Sequence, residues 1–143
     1  MAKKITEIQN LNVLANSLRS IFVVRADGFW KNHYILNQPS GSEIKYFVGA
    51  GRADEIVVNV VLPFFAIYFD IFANHESSRK IIRLYNIYQQ RAENQIINEV
   101  ARGLNLSNHT TTSVIAQGMI ELFRNYCSRN KCLECDIGKA VFN

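Results

Sequence analysis

The sequence predicts an all-α fold, an irregular bundle of about five helices with one aromatic, glycine- and proline-containing loop at about residues 25–52. Two observations support this prediction. Apolar side chains recur in steps of three and four over most of the chain, which is the period of an amphipathic helix. Four of the seven glycines lie in the one stretch where that period fails. At 143 residues, the chain is expected to form a single helical domain over residues 1–143.

The first helix is expected over residues 5–23, and Thr6 followed by Gln9 predicts a capping box at its start. The apolar residues that define this helix are Ile5, Ile8, Leu11, Leu14, Leu18, Ile21 and Phe22. The stretch that follows, about residues 25–52, is predicted to be mostly loop, and its segment Phe29-Trp-Lys-Asn-His-Tyr34 is expected to pack onto the helices through its aromatic rings.

Residues 53–73 are predicted to form the central helix, because they are apolar on nearly every side and such helices are buried on most sides. Asp54 and Glu55 suit its N-terminus, where the helix dipole favours negative charge. The β-branched run at residues 56–61 is also compatible with a strand, but its length and the absence of a turn signal favour a helix. Pro63 is expected either to kink this helix or to begin a second one.

Three further helices are predicted over residues 76–90, 92–104 and about 111–127. A polar turn at residues 105–111 separates the last two. Ser77 or Ser78 is the expected N-cap of the first of these three helices. The last helix leads directly into a C-terminal segment that contains every cysteine of the chain.

Cys127, Cys132 and Cys135 form the pattern Cys-x4-Cys-x2-Cys. A Cys-x2-Cys pair places two sulfurs on one tight turn, and three thiolates together favour zinc or, as the second choice, an iron–sulfur cluster. Arg124, Arg129 and Lys131 are expected to favour the thiolate form of the cysteines. Packed, uncharged thiols are the main alternative. A redox pair at Cys132 and Cys135 is the third interpretation.

A tetrahedral zinc site needs a fourth ligand, and the histidines His33, His75 and His109 are the candidates. We predict His33, because its aromatic neighbours Trp30 and Tyr34 would shield a metal site from water. The alternative role for His33, that of a general base, lacks a nucleophile or carboxylate nearby in sequence. A histidine ordered by hydrogen bonds within an aromatic cluster is the favoured alternative to either role.

Two further motifs are weaker. Residues 99–123 have the helix–turn–helix order, but no Arg or Lys precedes Arg124 in the second helix, which disfavours DNA reading. Gly49-Ala-Gly51-Arg52 precedes a helix, as phosphate-binding loops do, but it lacks the remaining glycine and lysine of such loops. No catalytic constellation is found, so the chain is predicted not to be an enzyme.

The charge and hydropathy of the chain limit its location and partners. The net charge of +4 permits contact with nucleic acid without requiring it. No signal peptide is recognised at the N-terminus, and the longest apolar run, residues 56–72, is too short and too polar for a membrane span. The prediction is a cytoplasmic protein without membrane contact.

Three segments occur in a characteristic order: Phe29–Tyr34, Gly51 leading into Ile56–Phe65, and Tyr126–Gly138. Together they resemble the C-terminal half of a bacterial family known as domain of unknown function 2851, found largely in Bacteroidetes, and the resemblance extends from about residue 5 to the end. Full-length members carry an N-terminal half suggestive of a metal-dependent nuclease, which nothing in this chain matches. The resemblance therefore implies a short or truncated member that packs against, or serves, the missing half.

The predicted function is that of a non-catalytic helical module with a C-terminal metal site at Cys127, Cys132, Cys135 and His33, which acts through a protein partner or the missing half. The alternative is a nucleic-acid-associated accessory domain of a nuclease-like protein.

Overall fold

The computed structural model describes residues 1–90, 94–106 and 112–142. The chain divides into two compact units, Met1–Ala92 and Glu93–Asn143, and each is described by itself. The first unit contains five helices and two small sheets, and the second contains three helices, counted over the described residues. The prediction of a mostly helical protein is therefore confirmed, but the number of helices is larger than predicted and strands are present.

The N-terminal helical region consists of two helices, α1 (Ala2–Glu7) and α2 (Leu11–Phe22), instead of the one predicted over residues 5–23. The break is caused by Asn10, which caps α2: its side-chain oxygen accepts hydrogen bonds from the backbone N–H groups of Asn12 and Val13 at 3.0 and 3.1 Å. The predicted capping box at Thr6 and Gln9 is therefore wrong.

The segment predicted to be mostly loop contains four short strands and a 3-10 turn at Gly28–Lys31. Strand β1 (Val24–Arg25) pairs antiparallel with β4 (Tyr46–Val48), and Val24 lies opposite Val48. Between them, β2 (His33–Ile35) and β3 (Gln38–Pro39) form a hairpin in which His33 lies opposite Pro39. Pairs this short give little periodicity in the sequence, which is why the prediction placed a loop here.

The long helix of the first unit comprises α3 (Ala50–Ile56), a π-helical turn (Val57–Val61) and α4 (Leu62–Ile71). This confirms the helix predicted over residues 53–73. Pro63 lies in the first turn of α4, directly after the π-helical turn. We attribute the wide π turn to Pro63, because proline lacks an N–H and its ring clashes with the carbonyl group four residues earlier.

The long helix is not buried on most sides, so that part of the prediction is wrong. Val57, Val58, Val61, Leu62 and Phe69 are buried in the core. The opposite side exposes a row of large apolar side chains, which we call the apolar stripe: Val60, Phe64, Ile67, Tyr68, Ile71 and Phe72. The sequence did not reveal this, because a helix that is apolar all round gives no sign of which side is covered.

Helix α5 (His75–Ile87) packs against α4 and completes the core of the first unit. Its N-cap is Asn74, whose side chain accepts a 3.2 Å hydrogen bond from the backbone of Ser77. The predicted caps, Ser77 and Ser78, are instead buried in the first turn, where Ser78 donates a hydrogen bond to the Ala66 carbonyl at 3.0 Å. The core residues are Ile5, Leu14, Leu18, Val57, Val58, Val61, Leu62, Phe69, Ile81, Leu84 and Tyr88.

The second unit contains α6 (Gln95–Gly103), α7 (Ser113–Asn125) and α8 (Asp136–Phe142). The first two agree with the helices predicted over 92–104 and 111–127, whereas α8 was not predicted. Its small core consists of Ile97, Val100, Ala101, Ala116 and Met119. Most of the polar turn predicted at residues 105–111, including His109, lies outside the described residues.

Candidate cysteine site

All three cysteines line one cavity in the second unit, with a volume of about 340 Å³. Glu99, Val100, Gly103 and Leu104 contribute one side of this cavity from α6, and the end of α7 contributes Leu122 and Phe123. The C-terminal segment supplies the remaining wall: Tyr126, Cys127, Cys132, Cys135, Ile137 and Gly138. We call this space the cysteine cavity. Its walls are mainly apolar, with three thiols and one carboxylate as the groups of chemical interest.

The turn that carries Cys127 begins directly at the end of α7. A 3-10 turn spans Cys127–Arg129 and closes at Asn130, which adopts a left-handed conformation with φ of 53°. The backbone N–H of Lys131 then donates to the Tyr126 carbonyl at 3.0 Å, which reverses the chain direction. This reversal returns the chain toward the helix end, so that the later cysteines face the same cavity as Cys127.

Cys132 and Cys135 lie on one tight turn, as the Cys-x2-Cys spacing predicts. The backbone N–H of Cys135 donates a hydrogen bond to the Cys132 carbonyl at 3.3 Å. The Cys135 carbonyl then accepts from Lys139 at 2.8 Å and so begins α8. Of the three cysteines, Cys135 is buried, whereas Cys127 and Cys132 are exposed.

Gly138 holds α8 close to the cysteine turn. A Cβ atom at this position would lie 2.1 Å from the Cys132 carbonyl oxygen, which is far shorter than any contact between non-bonded carbon and oxygen atoms. Only glycine fits here, because the obstructing atom belongs to the backbone and cannot turn away as a side chain would. The shape of the cysteine cavity therefore depends on the glycine at this position.

The pKa of the Cys127 thiol is raised above its ordinary value. Partial desolvation in the wall of the cavity is the largest cause, although much of the side chain is exposed, and the negative charges of Cys132, Cys135 and Glu99 add to it. The prediction that the basic residues of this segment favour the thiolate form is thus wrong for Cys127. Desolvation and the like charges raise this pKa, and its one lowering cause is a backbone hydrogen bond, not Arg124, Arg129 or Lys131.

No three His, Cys, Asp or Glu side chains are arranged to hold a metal ion among the residues described. Cys127, Cys132 and Cys135 share a cavity in this structure, and their donor chemistry suits a soft ion. The metal site at Cys127, Cys132, Cys135 and His33 stays a prediction.

His33 lies in the first unit, at the start of β2. Its ring stacks on the ring of Phe29, with 3.9 Å between centroids and 10° between planes, and Nδ1 lies 3.1 Å from the Phe29 carbonyl oxygen. The alternative interpretation, a histidine ordered by hydrogen bonding within an aromatic cluster, is confirmed. Of the other histidines considered, His75 pairs with Asp70 through Nδ1 at 3.2 Å.

The first unit also contains a buried polar cluster that no local sequence pattern predicted. Asp54 is 0% exposed, and its Oδ1 accepts hydrogen bonds from Arg19 Nε at 2.5 Å and from the Tyr88 hydroxyl at 2.6 Å. The Arg19 guanidinium also lies 5.5 Å from the centre of the Tyr88 ring. We call these three residues the Asp54 triad. The sequence suggested only that Asp54 stabilises a helix N-terminus, because its partners lie 35 and 34 residues away.

Lys80 is also buried, and it links α5 to the N-terminal helix. Its ammonium donates hydrogen bonds to the carbonyls of Ile5 at 2.7 Å and Thr6 at 3.4 Å. These carbonyls belong to the last turn of α1, where a positive charge is favourable. Lys80 therefore stabilises the fold and does not contribute its charge to a basic surface.

Comparison with protein families gives one result. A family model described as "Protein of unknown function (DUF2851)" matches residues 2–95. The chain belongs to this family. The match includes the aromatic segment, the long helix and the Asp54 triad. It ends before the cysteine segment. The matched region is therefore shorter than the sequence analysis predicted, since the resemblance was expected to extend from about residue 5 to the C-terminus. Neither the curated proteins nor the solved structures give a match. No described helix is long and apolar enough to cross a membrane.

Proposed function

We propose that this DUF2851 chain is a non-catalytic helical module that acts through a protein partner and binds a soft metal ion, zinc first, in its cysteine cavity. One observation supports the metal site above all: the three cysteines of the chain, spread over nine residues, line the same cavity. Packed thiols without a ligand have no need of a shared cavity, whereas a zinc ion needs several sulfurs around one point.

Binding would require the thiol side chains to turn toward one another. Cys127 and Cys132 are exposed, so rotation about their χ1 angles displaces no core residue. Cys135 is buried on the same turn as Cys132 and would act as the fixed ligand. The backbone around these residues is already held by the hydrogen bonds of the turn and by the close packing of Gly138.

The sequence predicts His33 as the fourth ligand, and the cavity itself adds Glu99 as a second candidate. Glu99 lines the cysteine cavity and its charge acts on the Cys127 thiol. A carboxylate is an accepted zinc ligand at about 2.0–2.2 Å, although it is less common beside three thiolates than histidine. His33→Ala and Glu99→Gln distinguish the two, because only loss of the true ligand weakens zinc binding.

The decisive experiment is a titration of reduced, metal-free protein with cobalt(II), which reports thiolate ligands through a sulfur-to-metal charge-transfer band. We expect saturation at one cobalt per chain, displacement by zinc and a stepwise loss of band intensity in Cys127→Ser, Cys132→Ser and Cys135→Ser. Ser128→Ala, an exposed change within the same segment, is the matched control. A spectrum without thiolate bands, together with unchanged melting of Cys132→Ser in the presence of zinc, would reject the metal site.

The alternative, a nucleic-acid-associated accessory domain, draws support from one local feature. Arg79 and Arg83 lie one helical turn apart on α5 and line the same surface cleft with His75. The burial of Lys80 removes one of the charges that such a surface would use. Filter binding at two salt concentrations tests this function, because phosphate contacts weaken steeply as salt increases.

A further inference from the structure

The apolar stripe has the spacing of a helix-packing seam. Val60, Phe64, Ile67 and Ile71 follow one another at intervals of four, three and four residues, which is the a/d pattern by which one helix packs along another. Tyr68 and Phe72 flank this seam. All six side chains are exposed; Phe64 is 58% exposed and Ile71 is 72% exposed. The opposite side of the same helix is already occupied by the core of the first unit.

Asp70 is the one charged residue within the span of the stripe, residues 60–72. No Asp, Glu, Lys or Arg occurs between Glu55 and Asp70. A partner that covers this surface therefore needs no complementary charge and gains chiefly from apolar burial. A second copy of the same helix meets this requirement without electrostatic repulsion, even though the whole chain has a net charge of +4.

The exposed area is sufficient for a dimer. Three aromatic and three aliphatic side chains at these exposures present on the order of 600 Å² of apolar surface. Two copies would then bury on the order of 1,200 Å², the lower limit of specific protein–protein interfaces. A single exposed patch of this size is also at the upper end of what monomeric proteins carry.

We propose that the chain forms an antiparallel dimer through the apolar stripe, with Phe64 of each copy opposite Ile67 of the other and Val60 opposite Ile71. Antiparallel pairing about the point between residues 65 and 66 places the large ring against a smaller side chain. Parallel pairing would instead place Phe64 against Phe64 and Ile67 against Ile67. In this proposal the protein partner of the helical module is a second copy of the same chain, so the dimer rests on the proposed function. The metal site is tested separately.

Sedimentation equilibrium of the full chain, reduced and with chelator present, tests the dimer independently of the metal. The wild type is expected to be dimeric at protein concentrations on the order of 100 μM. Phe64→Glu and Ile67→Lys are each expected to weaken the dimer at least about thirtyfold, as at other interface positions of this kind. Val13→Glu changes an apolar residue of similar exposure (54%) on α2 and is expected to leave the dimer intact.

Mixing Phe64→Glu with Ile67→Lys at equal concentration is expected to restore the dimer, because the antiparallel arrangement brings the introduced carboxylate and ammonium together. Ile71→Glu replaces Phe64→Glu if circular dichroism shows that the latter is unfolded. A wild type that is monomeric at the stated concentration, or folded seam variants that remain dimeric, would overturn the proposal. Failure of the mixed sample to dimerise would overturn the antiparallel pairing.

Discussion

The Tyr88 hydroxyl donates a 2.6 Å hydrogen bond to the same oxygen of Asp54 that accepts a 2.5 Å hydrogen bond from Arg19. Asp54 and Tyr88 are both buried in the first unit, so helices α2 and α3 and the end of α5 meet at one carboxylate. A charged group in such a position is stable only when it is paired and hydrogen-bonded. The Asp54 triad therefore makes the packing of these helices sensitive to single substitutions.

Tyr88→Phe removes one hydrogen bond from the buried Asp54 carboxylate without changing the volume of the ring. We expect the free energy of unfolding to fall by about 1–3 kcal/mol, because the carboxylate loses a donor that water cannot replace. Urea unfolding followed by circular dichroism measures the change. Tyr34→Phe, at a tyrosine that is 65% exposed, is the control and should alter stability by less than about 0.5 kcal/mol.

Stability should also depend on alkaline pH through Tyr88. Burial, and then the hydrogen bond to Asp54, raise the pKa of Tyr88 above its ordinary value. Since the folded pKa exceeds the unfolded one, this contribution is complete below about pH 10 and is lost as pH rises above it, where the unfolded tyrosine ionises. Urea unfolding between pH 8 and 11 should therefore show a steeper fall for the wild type than for Tyr88→Phe. Equal slopes would contradict this assignment.

Asp54→Asn removes the charge that is paired with Arg19, a residue whose side chain is only 11% exposed. We expect a loss of about 3–5 kcal/mol, because one partner of a buried ion pair is left without its counter-charge. The adjacent Glu55→Gln is the control: its pair with Arg52 is largely exposed and should contribute less than about 1 kcal/mol. Thermal melting of both variants provides the comparison, and equal losses would show that the triad contributes no more than a surface pair.

Gly138→Ala should disrupt the cysteine segment, because the added methyl group would meet the Cys132 carbonyl oxygen at 2.1 Å. The thiols should then react faster with a disulfide reagent in the absence of metal, as α8 separates from the turn. Gly118→Ala is the matched control: Gly118 lies within α7, where a Cβ atom meets nothing within 4 Å. That change should stabilise the helix by up to about 1 kcal/mol. Unchanged thiol reactivity in Gly138→Ala would contradict the role of this glycine.

Alkylation of Cys127 by iodoacetamide should require a higher pH than alkylation of an unperturbed cysteine, because desolvation and nearby negative charge raise its pKa. Mass spectrometry of peptides across a pH series measures the midpoint for Cys127 alone. Glu99→Gln removes one of the charges and should lower this midpoint slightly, whereas Glu121→Gln, an exposed change on α7, should not. Because zinc binds thiolates, the same raised pKa predicts that metal affinity increases with pH.

Much of the helical fold could be predicted from the sequence, because apolar periodicity reports directly which residues form helices. The long helix and α5, α6 and α7 were predicted close to their observed ends. The breaks were less predictable. Asn10, Asn74 and Asn94 each cap a helix through the side-chain oxygen. The prediction had favoured Thr6 where Asn10 is found and Ser77 or Ser78 where Asn74 is found, and it named no cap for α6. Residue type alone could not identify the N-cap, since Asn, Ser and Thr all cap helices well.

The candidate site was predicted only in part, for a physical reason. The tight turn at Cys132 and Cys135 follows from local spacing and was predicted. The three cysteines were expected to converge on one metal ion; they line one cavity, and the metal site stays a prediction. The raised pKa of Cys127 depends first on desolvation, then on Cys132 and Cys135, and least on Glu99, which comes from another helix. The Asp54 triad likewise depends on helices that are distant in sequence. Properties that depend on packing between segments distant in sequence cannot be predicted from the residue pattern of either segment alone.

The wide turn at Val57–Val61 sets the rotational phase of everything that follows it in the long helix. A π-helical turn accommodates about one residue more than an α-helical turn, and each residue corresponds to about 100° around the helix axis. Deleting one residue here would swing the second half of the helix by about a quarter of a revolution, turning Phe64 away from solvent and Phe69 out of the interior. The one additional residue of the π-helical turn thus determines which aromatic side chains of α4 are buried in the core and which are exposed to solvent.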